Sequence, residues 1–488
     1  MKMVRRFAWL SALLIVGVFT TSAYAAQPPY AATPINPAIH KLHEVYYVQQ
    51  HNTFDYGSTL TSWLDMGMRS VELDIIDRED WENDPNGPYV THDSSAGNKN
   101  CSGNPDRLGH CLSDIAGWLN THPGQGPVLV FIDMKASWDP ANAWYSDEVY
   151  LLDEKVRSIL GAQMYTANEL YQYATGSAYA PGGTSLRQAV STAGWPTLGS
   201  LAGKVVVAYT GGKIGFANQT QGSGIEYIMS QPGRSLPYGF FCPDVESDPA
   251  ELPPGGTVDG VSQATSQHFV CSNLQSRDNY QITANMSATH RQLIHLWGNH
   301  VYSNGDFVYN YIAVAHGISA IGRDSNASET WGGALPLVGL RRSLPGYFEL
   351  RPMHAQSKCV DVSNSGNGNG TKIQLWDCNG SNAQRFVYSA EGQLRPKHYN
   401  PSCVDIKGGS ASNGKLVHLW NCDGGSSEKW VIDPSGLFRS SNNGLAYCLS
   451  VSGGGTANGT WMVTSSCSGA NSQKFRLEPV TDWGQTSF

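Results

Sequence analysis

The sequence predicts two domains, a parallel α/β domain followed by an all-β domain built from three repeats. Three observations support this prediction: the length of the chain, a series of short apolar runs separated by longer connections, and a repeated cysteine spacing in the last third. The 488 residues exceed the roughly 150 residues of an ordinary domain, although an α/β barrel holds about 250. Hydrophobic residues at 40% and charged residues at 15% are typical of globular proteins and disfavour a disordered or coiled-coil chain.

Residues 1–25 have the pattern of a secretory signal peptide. Three cations precede an apolar stretch over residues 9–19, and a small-x-small cleavage site ends at Ala25. We therefore expect a secreted, extracellular protein. Loss of the three cations changes the formal net charge from −8 to −11, which disfavours nucleic acid as a partner. The rest of the sequence has no run of about 18 apolar residues, so we expect no transmembrane segment.

The predicted α/β domain spans residues 26–340, and residues 341–346 join it to the second domain. Strands alternating with longer connections favour a parallel sheet. The predicted strands are residues 45–50, 70–76, 89–91, 128–133, 205–209 and 318–321, with a helix over residues 151–160.

Polar side chains lie at the ends of the first four predicted strands. In a (β/α) barrel the carboxyl ends of the strands form the rim where catalytic residues gather. The period of two places Glu72 and Asp74 on one face of their strand, and the apolar residues between them on the other. The polar residues at the four strand ends are His51, Asn52, Glu72, Asp74, His92 and Asp133.

This set of side chains suits a divalent cation beside groups that transfer protons. Carboxylate and amide oxygens select calcium or magnesium over zinc, and two imidazoles are then free to move protons. Phosphodiester cleavage needs this combination, because a cation offsets charge on the phosphoryl oxygens while two histidines remove and donate protons. The alternative for each residue is structural: a histidine satisfied in a loop, or a carboxylate on the exposed face of a strand.

Three motifs carry these residues: H-N-T-F at residues 51–54, G-x-R-S-V-E-L-D at 67–74 and Y-V-T-H at 89–92. They resemble the X region of phosphatidylinositol-specific phospholipase C, particularly its secreted, calcium-dependent bacterial branch. The resemblance implies a TIM-barrel phosphodiesterase that acts on a phospholipid substrate at a membrane surface.

The same resemblance implies roles for individual residues. His51 and His92 would be the catalytic pair, and calcium, in preference to magnesium, would be held by Asn52, Glu72, Asp74 and Asp133. Metal-free relatives have an arginine at the position of Asp74, so a carboxylate here favours metal dependence.

Two other groups in this domain need an assignment. Arg69 is a candidate catalytic residue, because it either contacts the substrate phosphate or orients Glu72 and Asp74. His295 and His300 flank L-W-G-N, and we interpret them as packing residues rather than metal ligands.

The last third of the chain contains an internal repeat. Three cysteine pairs each have members 19 residues apart, and the first members recur after 44 and then 45 residues. A polar-x-aromatic triplet follows each pair: Gln384-Arg385-Phe386, Glu428-Lys429-Trp430 and Gln473-Lys474-Phe475. A unit of this length cannot close a core alone, so the three units should pack around a pseudo-threefold axis.

This repeat resembles the ricin-type β-trefoil lectin domain over residues 347–480. In that family an aspartate after the first cysteine and an aromatic residue before the second bind sugar. The corresponding residues are Asp361 and Trp376 in the first repeat and Asp405 and Trp420 in the second. Gln384, from the triplet after the second cysteine of the first repeat, is a further candidate for sugar binding. The third repeat has Ser450 and Ser465 at these positions, so the resemblance implies two glycan sites. Alternatively, the tryptophans fill core space.

Ten cysteines in an exported chain predict disulfides. The equal spacing predicts Cys359–Cys378, Cys403–Cys422 and Cys448–Cys467, and by exclusion Cys101 pairs with Cys111 and Cys242 with Cys271. None lies in a C-x-x-C pair, which disfavours structural zinc.

The function that these features predict is cleavage of phosphatidylinositol-type phospholipids to diacylglycerol and cyclic inositol phosphate, with the second domain binding glycans. A glycerophosphodiester or sphingomyelin phosphodiesterase is an alternative, since such enzymes also combine two histidines with an E-x-D pair. A carbohydrate-binding adhesin or toxin with an inactive barrel is the alternative from another class.

Overall fold

The computed structural model describes residues 35–479 with internal gaps. The gaps are residues 78–80, 93–98, 136–143, 212–220, 246–248, 259–260, 276–279, 298–312, 315, 324–336, 342–346, 390 and 433–435. The predicted signal peptide and His300 therefore lie outside the described residues.

The first domain alternates strands and helices. Its strands are β1 Val45–Gln50, β2 Ser70–Ile76, β3 Tyr89–Val90, β4 Val128–Lys135, β5 Val205–Gly211, β6 Phe240–Phe241, β7 Cys271–Gln275, β8 Leu293–Trp297, β9 Ala320–Arg323 and β10 Val338–Leu340. Its α-helices are α1 Leu60–Asp65, α2 Leu108–Thr121, α3 Ser146–Leu160, α4 Ala167–Thr175, α5 Leu186–Ala193, α6 Gln221–Ser230, α7 Gln263–Ser266 and α8 Tyr280–Thr289.

Eight of the strands in the described part of the chain form a barrel. Strands β2, β4, β5 and β6 run parallel in one half, and β7, β8, β9 and β1 run parallel in the other. The halves meet where β1 contacts β2 and where an isolated parallel bridge joins Asp244 to Asn273 beside β6 and β7. The predicted TIM barrel is confirmed.

Alternation along the strands builds the two cores of this domain. Val71 and Leu73 of β2 pack with Val130 of β4 in a core that includes the buried faces of α2 and α3. Leu129 and Phe131 of β4 face the other way, into a core shared with β1, β5, β8 and β9. This second core fills the barrel below the polar residues at the carboxyl ends of the strands.

The third predicted strand has a different role from the one expected. It forms only β3, which pairs antiparallel with β2, so the prediction that His92 ends a parallel barrel strand is wrong. The N–H of Thr91 donates to the carbonyl of Asp74 at 2.9 Å. His92 therefore still follows a residue that is held at the carboxyl end of β2.

Five disulfides join the predicted pairs. Cys101–Cys111 ties the segment before α2 to that helix, and Cys242–Cys271 joins the segment after β6 to the first residue of β7. The other three are Cys359–Cys378, Cys403–Cys422 and Cys448–Cys467. Each of these three closes one repeat of the second domain on itself.

The second domain has twelve strands in the described residues, four in each repeat. They are β11 Phe348–Pro352, β12 Lys358–Val362, β13 Thr371–Asp377, β14 Arg385–Tyr388, β15 Leu394–Pro396, β16 Ser402–Ile406, β17 Lys415–Asn421, β18 Trp430–Ile432, β19 Phe438–Ser440, β20 Tyr447–Val451, β21 Thr460–Ser466 and β22 Phe475–Pro479.

These strands have the arrangement of a β-trefoil. Strands β11, β14, β15, β18, β19 and β22 form a ring through ladders and the bridges Gln393–Lys429 and Leu437–Lys474. Three hairpins, β12–β13, β16–β17 and β20–β21, cap the ring. Their second strands β13, β17 and β21 pair with one another, which gives the expected pseudo-threefold axis and confirms the predicted all-β domain.

A buried contact joins the two domains. His316 Nε2 of the barrel domain lies 3.3 Å from the hydroxyl of Tyr388 in β14. That hydroxyl donates to the carbonyl of Trp430 in the second repeat. Among the described residues, no helix has both the length and the apolar character needed to span a bilayer.

Candidate active site

Three carboxylates converge at the carboxyl ends of β2 and β4. These strands are in register, with Asp74 opposite Asp133. Glu72, Asp74 and Asp133 each offer an oxygen within 4.8 Å of the other two. The side chains of Glu72 and Asp74 are buried, so their charges repel one another with little screening by water.

The loop after β1 fixes His51 beside this cluster. Thr53 Oγ1 donates to the carbonyl of Gln50 at 2.6 Å and accepts from the N–H of Glu72 at 3.0 Å. Asn52 has the left-handed conformation that asparagine tolerates, and its N–H donates to Glu72 Oε2 at 3.3 Å. His51 Nε2 then lies 3.7 Å from Glu72 Oε1. The H-N-T-F motif therefore anchors the first histidine to the E-x-D strand.

Asn100, which the sequence interpretation missed, holds the same loop in place by hydrogen bonds. Its side-chain amide donates to the carbonyls of Thr53 and Tyr56 at 2.7 and 2.6 Å. Its backbone N–H donates to the carbonyl of Phe54 at 3.0 Å. Because the neighbouring residue is Cys101 of the first disulfide, the disulfide and the loop that carries His51 are mechanically linked.

Lys135 is a site residue that the predicted end of β4 left out. The strand extends two residues beyond Asp133, so the period of two brings Lys135 to the same face. Its ammonium lies 2.5 Å from Asp133 Oδ2 and 3.3 Å from Asp74 Oδ2. The D-x-K pattern was the available signal for this residue. On β5, Gly211 follows Thr210, the residue paired with Asp133; a Cβ at Gly211 would clash with Asp133 Oδ1, so β5 needs glycine there.

The pKa values of the carboxyls follow from burial and from Lys135. Burial raises the pKa of Glu72, against the opposing effect of His51. Burial also raises the pKa of Asp74 well above its usual value, although Lys135 opposes it. For Asp133 burial acts in the same direction, but the pKa is lowered because Lys135, together with His295 and Thr210, outweighs it. The cluster is therefore short of positive charge.

The donor set fits a hard divalent cation. Asn52 Oδ1 and both carboxylate oxygens of Asp74 are buried without a hydrogen-bond partner in the described part of the chain. Buried polar atoms are normally satisfied by a hydrogen bond, and a bound ion can take the place of one. Together with Glu72 and Asp133 they supply the oxygen ligands that calcium prefers.

A chain of hydrogen bonds lies beneath the carboxylates and contains His295. The side-chain amide of Gln49 donates to His295 Nε2 at 2.6 Å, so the proton of the ring is on Nδ1, which donates to Asn273 Oδ1 at 2.8 Å. The amide of Asn273 donates to Asp244 Oδ1 at 2.6 Å. Burial lowers the pKa of His295 to about 3, which keeps the ring neutral. The ring also stacks on Phe131, so His295 is a buried packing residue, as predicted, and in addition links β1 to β7 through its hydrogen bonds.

His92 lies on the exposed side of the cluster. Its pKa is lowered, first by partial burial and then by the positive charges of Lys135 and His51.

Arg69 does not join them. It immediately precedes β2, at the opposite end from Asp74, and its guanidinium donates to the carbonyls of Leu64 and Met68 at 2.9 and 2.7 Å. It also donates to Gln125 Oε1 at 2.6 Å. The assignment of Arg69 as a catalytic residue, by contact with substrate or by orienting the carboxylates, is therefore corrected to a structural one.

The first repeat of the β-trefoil has a polar pair beside an exposed ring. Gln374 and Gln384 donate to the two carboxylate oxygens of Asp361 at 3.0 and 3.2 Å. Trp376 is 39% exposed, which excludes a role in filling the core. Gln384 is fully buried, so it orients Asp361 and does not meet a sugar itself, contrary to its predicted role.

The second repeat has the same arrangement with different partners. His418 Nε2 lies 3.0 Å from Asp405 Oδ1, and the hydroxyl of Ser427 donates to Asp405 Oδ2 at 2.7 Å. The ring of His418 stacks on Trp420, which is 41% exposed. Because His418 and Gln374 occupy the same register position, hairpin alignment was the signal that could have found both.

The third repeat lacks both features. Ser450 stands opposite Val463, and Ser465 stands opposite Cys448 where the other repeats have tryptophan. Neither an aspartate nor an aromatic platform is present at these positions.

Two family models match the chain. Residues 97–220 match "Phosphoinositide phospholipase C, Ca2+-dependent" and residues 346–475 match "Ricin-type beta-trefoil lectin domain". The first match includes Asp133 but begins after the strands that carry His51, Glu72 and Asp74. These matches confirm the resemblances predicted from the motifs and the predicted class of enzyme, a calcium-dependent phospholipase C-like phosphodiesterase, here joined to a ricin-type lectin domain.

Three solved structures are similar to parts of the chain. A calcium-dependent phosphoinositol-specific phospholipase C from a Gram-negative bacterium, Pseudomonas sp., is 22% identical, with 64% of this chain and 99% of that chain covered and a TM-score of 0.49. A phosphatidylinositol-specific phospholipase C from Streptomyces antibioticus is 19% identical, with coverages of 62% and 99% and a TM-score of 0.47. The earthworm R-type lectin C-half, in complex with GalNAc, is 17% identical, with coverages of 28% and 98% and a TM-score of 0.24. No match is found among curated proteins.

The corrected role of Arg69 predicts a loss of stability without a loss of turnover. Arg69→Met removes the bonds to Leu64, Met68 and Gln125, and should lower the free energy of unfolding by about 1–3 kcal/mol. Arg157→Met, which removes similar bonds to the carbonyls of Gly161 and Met164, is a matched control. Thermal unfolding and phosphodiesterase turnover should be measured on both variants. A hundredfold fall in turnover for Arg69→Met, with unchanged stability, would restore the catalytic assignment.

Proposed function

We propose that the chain is a secreted phosphodiesterase that cleaves phosphatidylinositol-type phospholipids at a membrane surface and binds glycans. The enzyme domain would comprise residues 26–340 and the lectin domain residues 347–480. The observation that carries the proposal is the convergence of three carboxylates within 4.8 Å, with His51 3.7 Å from one of them, at the carboxyl ends of parallel barrel strands.

Calcium would be held by Asn52, Glu72, Asp74 and Asp133. When bound there, it would supply positive charge that offsets the charge on the phosphoryl oxygens. Asn52 Oδ1 and Asp74 Oδ1, which are buried and lack a hydrogen bond, support this assignment, because buried acceptors of this kind need a positive partner.

The two histidines would move the protons of the reaction. The inositol hydroxyl next to the phosphate attacks phosphorus, and His51 takes its proton, with Glu72 stabilising the resulting imidazolium. The bond from phosphorus to the glycerol oxygen breaks, and His92 gives that oxygen a proton. Diacylglycerol and cyclic inositol phosphate leave, and proton exchange with water then removes the proton from His51 and returns one to His92.

The lectin domain would bind glycans through its first two repeats. In each, a buried aspartate oriented by two donors stands beside an exposed tryptophan. A sugar stacked on the indole could donate its hydroxyls to the carboxylate. Five disulfides suit an oxidising, extracellular location, and cleavage of the signal peptide near Ala25 would accompany export.

The substrate and the metal can be tested together with a panel of phosphodiesters. The protein should release diacylglycerol and cyclic inositol phosphate from phosphatidylinositol vesicles in calcium, and lose most of this activity in excess chelator or as Asp74→Asn. Products should be identified by phosphorus NMR. If the protein cleaves glycerophosphodiesters or sphingomyelin but not phosphatidylinositol, the proposed substrate is wrong and the alternative phosphodiesterase is supported. If the protein binds glycans but cleaves none of these substrates, the proposed enzymatic function is wrong and the adhesin or toxin is supported.

The proton-transfer roles predict coupled losses of turnover. His51→Ala and His92→Ala should each slow cleavage by about 10²-fold or more, the usual scale for a lost acid or base. The double variant should be little slower than the worse single variant, because both residues act in one sequence. His122→Ala, a histidine stacked on Trp118 away from the site, is the control. Either single variant with near wild-type turnover would remove that histidine from the mechanism.

Glycan binding should be separable from catalysis. Each single site is shallow, so retention on a glycan surface should depend on two sites used together. The double variant Asp361→Ala/Asp405→Ala should lose retention on immobilised glycans while hydrolysing a soluble substrate analogue at the wild-type rate. Ser450→Ala should be retained like the parent. Retention of the double variant, or loss with Ser450→Ala, would contradict the two-site assignment.

A further inference from the structure

The ammonium of Lys135 stands where two of the proposed calcium ligands meet. It lies 2.5 Å from Asp133 Oδ2 and 3.3 Å from Asp74 Oδ2. Carboxylate oxygens bind calcium at about 2.3–2.6 Å, so the ammonium already lies within that distance of Asp133 Oδ2 and stands close to Asp74 Oδ2. The ammonium and the ion cannot share these contacts.

The charges also favour one cation at a time near these oxygens. Glu72, Asp74 and Asp133 are mutually close, and Lys135 supplies a single positive charge among them. Without it, three carboxylates would repel one another in a largely buried place. With it, the apo cluster is partly neutralised, but two of the ligand residues are already engaged.

Lys135 has the freedom to leave. It is the last residue of β4, and its side chain is 27% exposed, whereas that of Asp74 is fully buried. A lysine has a flexible stem and a compact, strongly hydrated charge, so its head can exchange the carboxylates for water.

We propose that Lys135 is an internal counter-ion that calcium must displace, an inference that rests on the calcium-dependent function proposed above. As a counter-ion, Lys135 stabilises the three carboxylates when no metal is bound. It also weakens the apparent affinity for calcium, because every binding event breaks two ion pairs. Such competition makes calcium bind more weakly than it would to the same carboxylates without the lysine. The site would then fill in a calcium-rich exterior and stay metal-free where calcium is scarce.

The test is a calcium titration by calorimetry of the full chain and its variants. Lys135→Met should bind calcium about tenfold tighter or more than the wild type, and in chelator it should melt at a lower temperature. Saturating calcium should close this gap in melting temperature. Lys204→Met is the matched control, since Lys204 also pairs with a carboxylate at 3.2 Å, that of Glu169, outside the cluster. Its affinity for calcium should equal that of the wild type.

Equal or weaker calcium binding by folded Lys135→Met would overturn the inference while leaving the proposed metal site intact. A wild type that binds no calcium would overturn both. If Lys135→Met does not fold without calcium, the calcium affinity of Lys135→Gln should be compared with that of the wild type instead. The glutamine amide can still donate to the carboxylates.

Discussion

The site depends on a buried chain of hydrogen bonds that crosses both places where the two halves of the barrel meet, between β1 and β2 and between β6 and β7. Among the described residues, no backbone ladder joins β1 to β2, and only one bridge joins the segments at β6 and β7. Side-chain hydrogen bonds join the halves at both places instead. The residues linked in this way are Asp244, Asn273, His295, Gln49 and Ser70. Gln49 also donates to Glu72 Oε2 at 3.4 Å. The position of Glu72, and through it that of His51, is therefore set by groups on the far half of the barrel.

Local pattern was enough to predict the parts of the structure that are made by local contacts. The bounds of β1 and β2, the disulfides and the threefold repeat follow from alternation and spacing within short stretches. The hydrogen bonds of His295 could not be predicted this way, because its partners Gln49 and Asn273 are brought to it only by closure of the barrel. Lys135 was missed because the strand was ended two residues early. Arg69 was assigned to the site because it belongs to the G-x-R-S-V-E-L-D motif. Its position before β2 places it at the end of the strand opposite to the site.

The three repeats of the second domain separate what the fold needs from what a binding site needs. All three keep the disulfide, the hairpin register and the interlocking of β13, β17 and β21. Only two keep an aspartate under an exposed tryptophan. The position opposite the aspartate differs between those two, glutamine in one and histidine in the other. Because each donates to the aspartate of its own repeat, the chemistry required is a donor rather than a particular residue, and the third repeat has valine there.

The pairing of β1 has a consequence for the order in which the chain can fold. Its neighbours are β9 and β10, with Val45 opposite Leu340, so the first strand of the barrel has no backbone partner until nearly the whole domain has been made. Such long-range closure is slow, because the entropy of the intervening loop is lost before any contact forms. The hairpins of the second domain close over fewer than twenty residues and have no such delay. A chain crossing a membrane as an extended polymer would therefore complete its barrel only after residue 340 has emerged, and until then β1 offers an open edge to other chains.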